Sequence, residues 1–166
     1  MDFNQYTIKV QEVIQHAAQM AQSNQQQAIE TGHIFKSILE EDPNTALFLF
    51  NKLNISKEIV SERLTEIIHK YPKVSGGQPY LGNDFAAATT KAQTFLKEFG
   101  DEFISIEVLL LGIMSGNDAT AKMMKELGFK EKEFINTIKE LRGKNNPVKD
   151  QNAEAKYRSL ERYSKN

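Results

Sequence analysis

One helical unit is written twice in this chain, and that duplication limits the folds open to it more than any other feature. Residues Ala28 to Leu39 and Phe103 to Met114 carry the same apolar pattern. Ile29, Ile34, Phe35, Ile38 and Leu39 stand in register with Ile104, Leu109, Leu110, Ile113 and Met114 at a spacing of 75. Downstream, Leu53, Val60, Leu64 and Ile67 answer to Leu127, Phe134, Ile138 and Leu141 at a spacing of 74. Upstream, Ala17, Met20 and Ala21 align with Ala92, Phe95 and Leu96. An internal repeat decides architecture before any local reading. The repeated stretch covers nearly all of residues 1–143.

Within each copy the apolar residues recur at helical spacing. Thr7 caps a first helix whose stripe is Ile8, Val10, Val13, Ile14, Ala17, Met20 and Ala21, fading in the polar run 23–27. A second helix holds Ile34 to Leu39 and is stopped by Glu40-Glu41-Asp42-Pro43-Asn44. Residues 45–52 are too densely apolar for a one-sided surface helix and predict a short buried one. Ser56 caps a fourth helix, which ends at Tyr71-Pro72. Two prolines and two glycines in 72–79 form the joint between repeats. The second copy predicts helices over 83–99, from near Ser105, over 119–127 and over 131–141. No strand is required. The expected architecture is all-α, with eight helices in two pseudo-twofold-related four-helix repeats, about 1–71 and about 80–143. The duplicated central helices, apolar on too many sides to lie on a surface, should form the shared centre. Residues 144–166 read as a linker. Asp150 there could cap a short helix with Ala153, Tyr157, Leu160 and Tyr163 on one face.

Length and an apolar content of 40% suffice for one domain with a real core. Six basic and three acidic side chains give the last 23 residues +3; against a total of −1, this leaves −4 on the rest. No overall field would recruit nucleic acid or an anionic membrane. The absence of cysteine removes disulfides, thiolate catalysis and Cys-based zinc sites. With no secretory or membrane-spanning run, a soluble cytoplasmic protein is expected. The glycines never fall in phosphate-loop spacing, and His16, His33 and His69 lie apart from one another. His33 fits a hydrogen-bonded core position. No catalytic residue, metal ligand or cofactor site is assigned to this chain.

What remains is a set of polar residues near an apolar patch. Asp101 and Glu107 flank the start of the central second-repeat helix, where negative charge suits the helix dipole. A second reading has these carboxylates and the Thr7 hydroxyl edging a patch that includes Phe95, Leu96 and Phe99, to select groups of a ligand.

Several segments resemble the amino-terminal Clp repeat domain of ClpB-type AAA+ disaggregases. They are Phe3 to Lys9, Ile29 to Leu39, Tyr71 to Gly77, Gly100 to Glu107, and, in the tail, Asp150 to Glu154 with Leu160 to Tyr163. The resemblance implies a double four-helix domain tethered to ATPase modules in a homohexamer, with ATP and magnesium bound in those modules, absent from this chain. It implies capture of exposed hydrophobic segments of unfolded or aggregated polypeptides, and cooperation with a DnaK-type chaperone system. By the same resemblance, Thr7, Asp101 and Glu107 match polar substrate contacts. The family's apolar groove positions fall on Phe95, Val108 and Lys91, the last departing from the pattern. A related branch, ClpC, reads phosphoarginine through a glutamate in each repeat; here Glu107 keeps one and Gly32 replaces the other. The alternative function is adaptor docking, as in a ClpC- or ClpA-like unfoldase. The isolated domain is expected to be a monomer.

Overall fold

A computed structural model describes residues 3–74, 76–143 and 146–152. A 3-10 turn at Phe3–Gln5 leads into α1 (Ile8–Ser23), α2 (Thr31–Glu41), α3 (Pro43–Leu53) and α4 (Lys57–His69). The same succession follows as α5 (Asn83–Phe99), α6 (Ile106–Met114), α7 (Ala119–Glu126) and α8 (Glu131–Arg142). The caps lie where short polar side chains precede apolar runs. Thr7, Ser56, Ser105 and Asp118 each accept from the backbone N–H three residues on, satisfying a donor the helix cannot. Asp42 does the same for α3 with Pro43 in the first turn, so the residues expected only to stop α2 also start its successor.

Every residue of α6 is buried, and so is most of α2, which places the duplicated helices at the centre. Aromatic rings from both copies close the core, Phe35 and Phe50 meeting Phe129 edge-on at centroid distances of 6.4 and 5.8 Å. The density of α3 was misleading. Thr45, Ala46, Leu49 and Phe50 are buried, whereas Leu47 is 40% exposed, so the helix has an outer face.

Short strands, which the apolar periodicity did not require, stitch the copies together. β1 (Ala28–Ile29) runs parallel to β2 (Tyr80–Leu81), with Ile29 opposite Leu81. A second parallel bridge joins Tyr6 to Ile104. At the repeat spacing Tyr6 corresponds to Leu81 and Ile104 to Ile29, so the two bridges are symmetry mates. The bonds correspond as well: Gly82 N–H donates to Ile29 O at 2.9 Å, and Thr7 N–H to Ile104 O at 3.1 Å. The lead-in of each copy therefore pairs with the pre-α2 segment of the other. Two residues per strand are too few to leave an apolar alternation in the sequence.

The packed body also passes the expected end at residue 143. Val148 is buried against Phe103. Its N–H donates to Asp101 Oδ1 at 2.8 Å, and its carbonyl accepts from Glu102 N–H at 2.8 Å. Ile8 N–H donates to Gln151 O at 3.0 Å. Asp150 Oδ1 accepts from Asn152 N–H at 2.8 Å. Ala153, Tyr157, Leu160 and Tyr163 lie outside the described residues.

Candidate functional site

Beneath the N-terminus of α6, one guanidinium organises the acidic residues. α5 ends at Gly100 in the left-handed region (φ 70°), and Asp101 N–H donates back to Leu96 O at 2.9 Å, turning the chain inward. This brings Asp101 beside Glu107 in the first turn of α6. Arg142, the last residue of α8, reaches both. Its Nη1 donates to Asp101 Oδ1 at 2.7 Å, Nε to Glu107 Oε2 at 3.0 Å and Nη2 to the Ser105 hydroxyl at 3.0 Å. The guanidinium also sits 5.0 Å from the Phe99 ring centroid. Side-chain exposure is 3% for Arg142 and 0% for both acids. Burial is the main influence on the Asp101 carboxyl and pushes it above the ordinary aspartate range, against Arg142 and the Val148 amide, which pull it down.

The expectation that Asp101 and Glu107 edge an open patch is corrected by this geometry. Asp101 Oδ1 and Glu107 Oε2 are bound by Arg142, while Asp101 Oδ2 is buried without a hydrogen-bond partner, and the cluster is a buried strut joining α5, α6, α8 and the segment after α8. Thr7 and Val108 are also fully buried, Thr7 capping α1 and Val108 lying within the core. Arg142 went unrecognised because an arginine in the last turn of a helix ordinarily faces water and the helix dipole. The available signal was its place in the repeat, opposite the apolar Ile68.

The first copy carries a different cluster at the same place. Gln25 adopts φ 59° where the second copy has Gly100, and Gln26 N–H donates to Ala21 O at 2.8 Å. His33 Nδ1 accepts from Glu30 N–H at 2.9 Å, while its Nε2 contacts Gln26 Oε1 at 2.7 Å. Gln26 Nε2 in turn donates to Ile68 O at 2.6 Å. These roles fix neutral His33 as the Nε2–H tautomer, and burial lowers its pKa to about 4. Gly32 stands where the second copy has Glu107. Tyr71 fills that space, its hydroxyl accepting from Gly32 N–H at 3.1 Å and lying 2.6 Å from where a Cβ would be. A paired acidic receptor across the two copies is thus closed off on one side by a ring.

Phe95, with Lys91 of the groove positions that the family resemblance implied, lines a concavity. A depression of about 520 Å³ is lined by Lys91, Thr94 and Phe95 of α5, Met114 and Ser115 at the end of α6, Lys125 of α7, and Phe129 to Glu131 at the start of α8. Its floor is apolar: Phe95 is half-buried, Met114 and Phe129 are 4% and 3% exposed, and all three side chains lack hydrogen-bonding groups other than the weak thioether. A second concavity of about 340 Å³ lies between α1, α2 and α4, lined by Met20, Gln26, Glu40, Ile68 and Lys73 among others. Among the described residues no group of three His, Asp or Glu side chains could hold a metal ion, and no helix is long and apolar enough to cross a membrane.

The family model of the Clp repeat (R) N-terminal domain matches residues 5–157. The chain is 40% identical over 166 residues to the chaperone protein ClpB of Bacteroides thetaiotaomicron, covering 100% of this chain and 19% of that protein. It is 33% identical to ClpB of Porphyromonas gingivalis at the same coverage. The chain thus spans about one fifth of the length of these relatives. The fold matches the Hsp104 N-terminal domain from Candida albicans with a TM-score of 0.72 at 15% identity, covering 89% of this chain and 97% of that one. It matches the ClpD N-terminal domain from Arabidopsis thaliana with a TM-score of 0.62 at 18% identity, covering 86% and 98%. At such identities the likeness is one of fold.

Proposed function

This chain belongs to the Clp repeat N-terminal domain family, and from that premise we propose that it captures exposed hydrophobic segments of unfolded or aggregated polypeptides for a cytoplasmic AAA+ disaggregase. The observation that carries the reading is the open depression with Phe95, Met114 and Phe129 on its floor, in a domain where Asp101 and Glu107 are buried on Arg142. Phe95 meets the client directly. Thr7, Asp101, Glu107 and Val108 serve the fold instead, Thr7 capping α1, Val108 packing in the core and the two acids binding Arg142 at the start of α6. Hydrolysis of ATP, with magnesium, belongs to further modules of a hexameric parent, and delivery of clients from a DnaK-type system fits the same role.

Magnitudes favour weak capture. Burying two or three client side chains contributes roughly 1.5 to 3 kcal/mol each, against roughly 4 to 15 kcal/mol lost on association. A ring of such domains raises avidity by about 10²-fold or more without new contacts. The test is an amide chemical-shift titration with a permanently unfolded model polypeptide. Shifts concentrated at Phe95, Met114 and Phe129, with Phe95→Ser weakening binding at least several-fold, support the assignment. Shifts confined to other faces, or none at high ligand concentration, overturn it. Tight one-to-one binding of a folded partner at this face instead would favour the adaptor-docking alternative.

A further inference from the structure

The depression is lined by lysines as well as by apolar side chains. Lys91, Lys125 and Lys130 are all exposed around the floor formed by Phe95, Met114 and Phe129, with Glu131 as the acidic residue in the same wall. None of the three ammonium groups takes part in an ion pair among the described residues. Lys125 Nζ donates to Gly116 O at 3.1 Å, leaving it two further donors. Elsewhere on the domain Lys52 pairs with Glu140, Arg63 with Glu126 and Lys139 with Glu98, while Lys97, Lys122 and Lys132 of the same repeat carry no ion pair among the described residues but do not line the depression. In a chain of net charge −1, three unmatched cations around one apolar concavity are a local inversion of sign. Charges beside a low-dielectric wall act on a ligand more strongly than they would in open water.

Resting on the capture reading above, we propose that this depression selects unfolded segments in which an apolar side chain is flanked by aspartate or glutamate. The apolar side chain covers Phe95 and Phe129. Carboxylates on either side of it come within reach of long, flexible lysine stems, which can follow the client without a fixed geometry. A segment flanked by lysine or arginine meets like charge at the same rim and is disfavoured. The polarity is therefore set by the clients' flanking residues, while apolar burial supplies the contact common to all of them.

The test uses the 166-residue chain and two peptides with one shared apolar centre, one flanked by Asp and Glu and the other by Lys. Amide chemical-shift titrations are run at low and at raised salt. The acid-flanked peptide is expected to bind about 5- to 20-fold more tightly at low salt, the ratio shrinking several-fold near 0.3 M as the rim is screened. The double variant Lys91→Glu/Lys130→Glu should reverse the preference. Lys70→Glu/Lys73→Glu, an equal charge change on the other repeat, should leave it intact. Equal affinities, or a preference that survives reversal of the rim, overturn the proposal while leaving hydrophobic capture standing. If neither peptide perturbs Phe95, Met114 or Phe129, the capture reading fails and this inference fails with it.

Discussion

Arg142 holds Asp101, Glu107 and Ser105 at once, and a buried cation that loses its partners, or carboxylates that lose their cation, cannot regain water. Arg142→Met should therefore destabilise the domain by about 3 to 5 kcal/mol in urea or thermal unfolding. Adding Asp101→Asn and Glu107→Gln should restore part of that loss, because the stranded charges go with the cation. Arg142→Lys should not rescue the wild-type stability, since a point charge cannot serve three acceptors in the guanidinium's plane. It follows that a binding defect in Glu107→Ala alone would be ambiguous until folding is measured. His33 makes the complementary case. Its folded pKa of about 4 lies below the ordinary 6.5, so the folded state binds fewer protons between those values. Stability from this group is fully present above about pH 6.5 and is lost as pH falls toward 4, by up to about 3 kcal/mol. Comparing the pH dependence of unfolding free energy for wild type and His33→Gln isolates this contribution. Unchanged slopes over that window would refute it. The neutral, hydrogen-bonded role of His33 was legible from its place on an apolar helix. The burial of Arg142 was not, because nothing local distinguishes it from a solvated helix end.

At the scale of elements, the central helix of each copy approaches its predecessor at equivalent points by different means. In the second copy Gly112 of α6 lies so close to α5 that an added Cβ would collide with the Ala88 carbonyl oxygen and lie 2.9 Å from the Ala92 Cβ. In the first, the corresponding Ser37 Oγ donates to Val13 O at 2.8 Å, Val13 being the counterpart of Ala88. A backbone atom cannot retreat as a flexible side chain can, so Gly112→Ala should cost about 1 to 3 kcal/mol and shift resonances along α5. An unchanged melting temperature would show that α5 and α6 separate freely. Helix positions and most caps could be read directly, since a 3.6-residue stripe and a Ser, Thr or Asp before it are local signals. Gln25 escaped notice: it takes the left-handed turn that glycine takes at position 100, a conformation no residue type there advertises.

For the whole molecule, the exchanged strands make each copy incomplete without the other. Residues 1–74 alone would leave Ala28–Ile29 without β2 and Tyr6 without Ile104, and should fail to give a dispersed amide spectrum. Mixing them with the remainder of the chain should restore one. A folded isolated half would disprove the interdependence. Truncation after residue 143 removes Val148 and its bonds to Asp101 and Glu102 and should cost about 2 to 4 kcal/mol relative to an end at 152. Equal melting temperatures for the two lengths would place the boundary back at 143.

Repetition, helical periodicity and capping chemistry are properties of neighbouring residues, and they determined eight helices, two copies and a shared apolar centre from the order of amino acids alone. Which polar groups face solvent depends on what the rest of the chain brings to them. Asp101 and Glu107 look available until α8 delivers Arg142, and Phe95 looks like one more core aromatic until the α7–α8 corner leaves a concavity beside it. Those contacts join residues tens of positions apart, so only the tertiary structure could decide that the acids are a strut and that the exposed rim is basic.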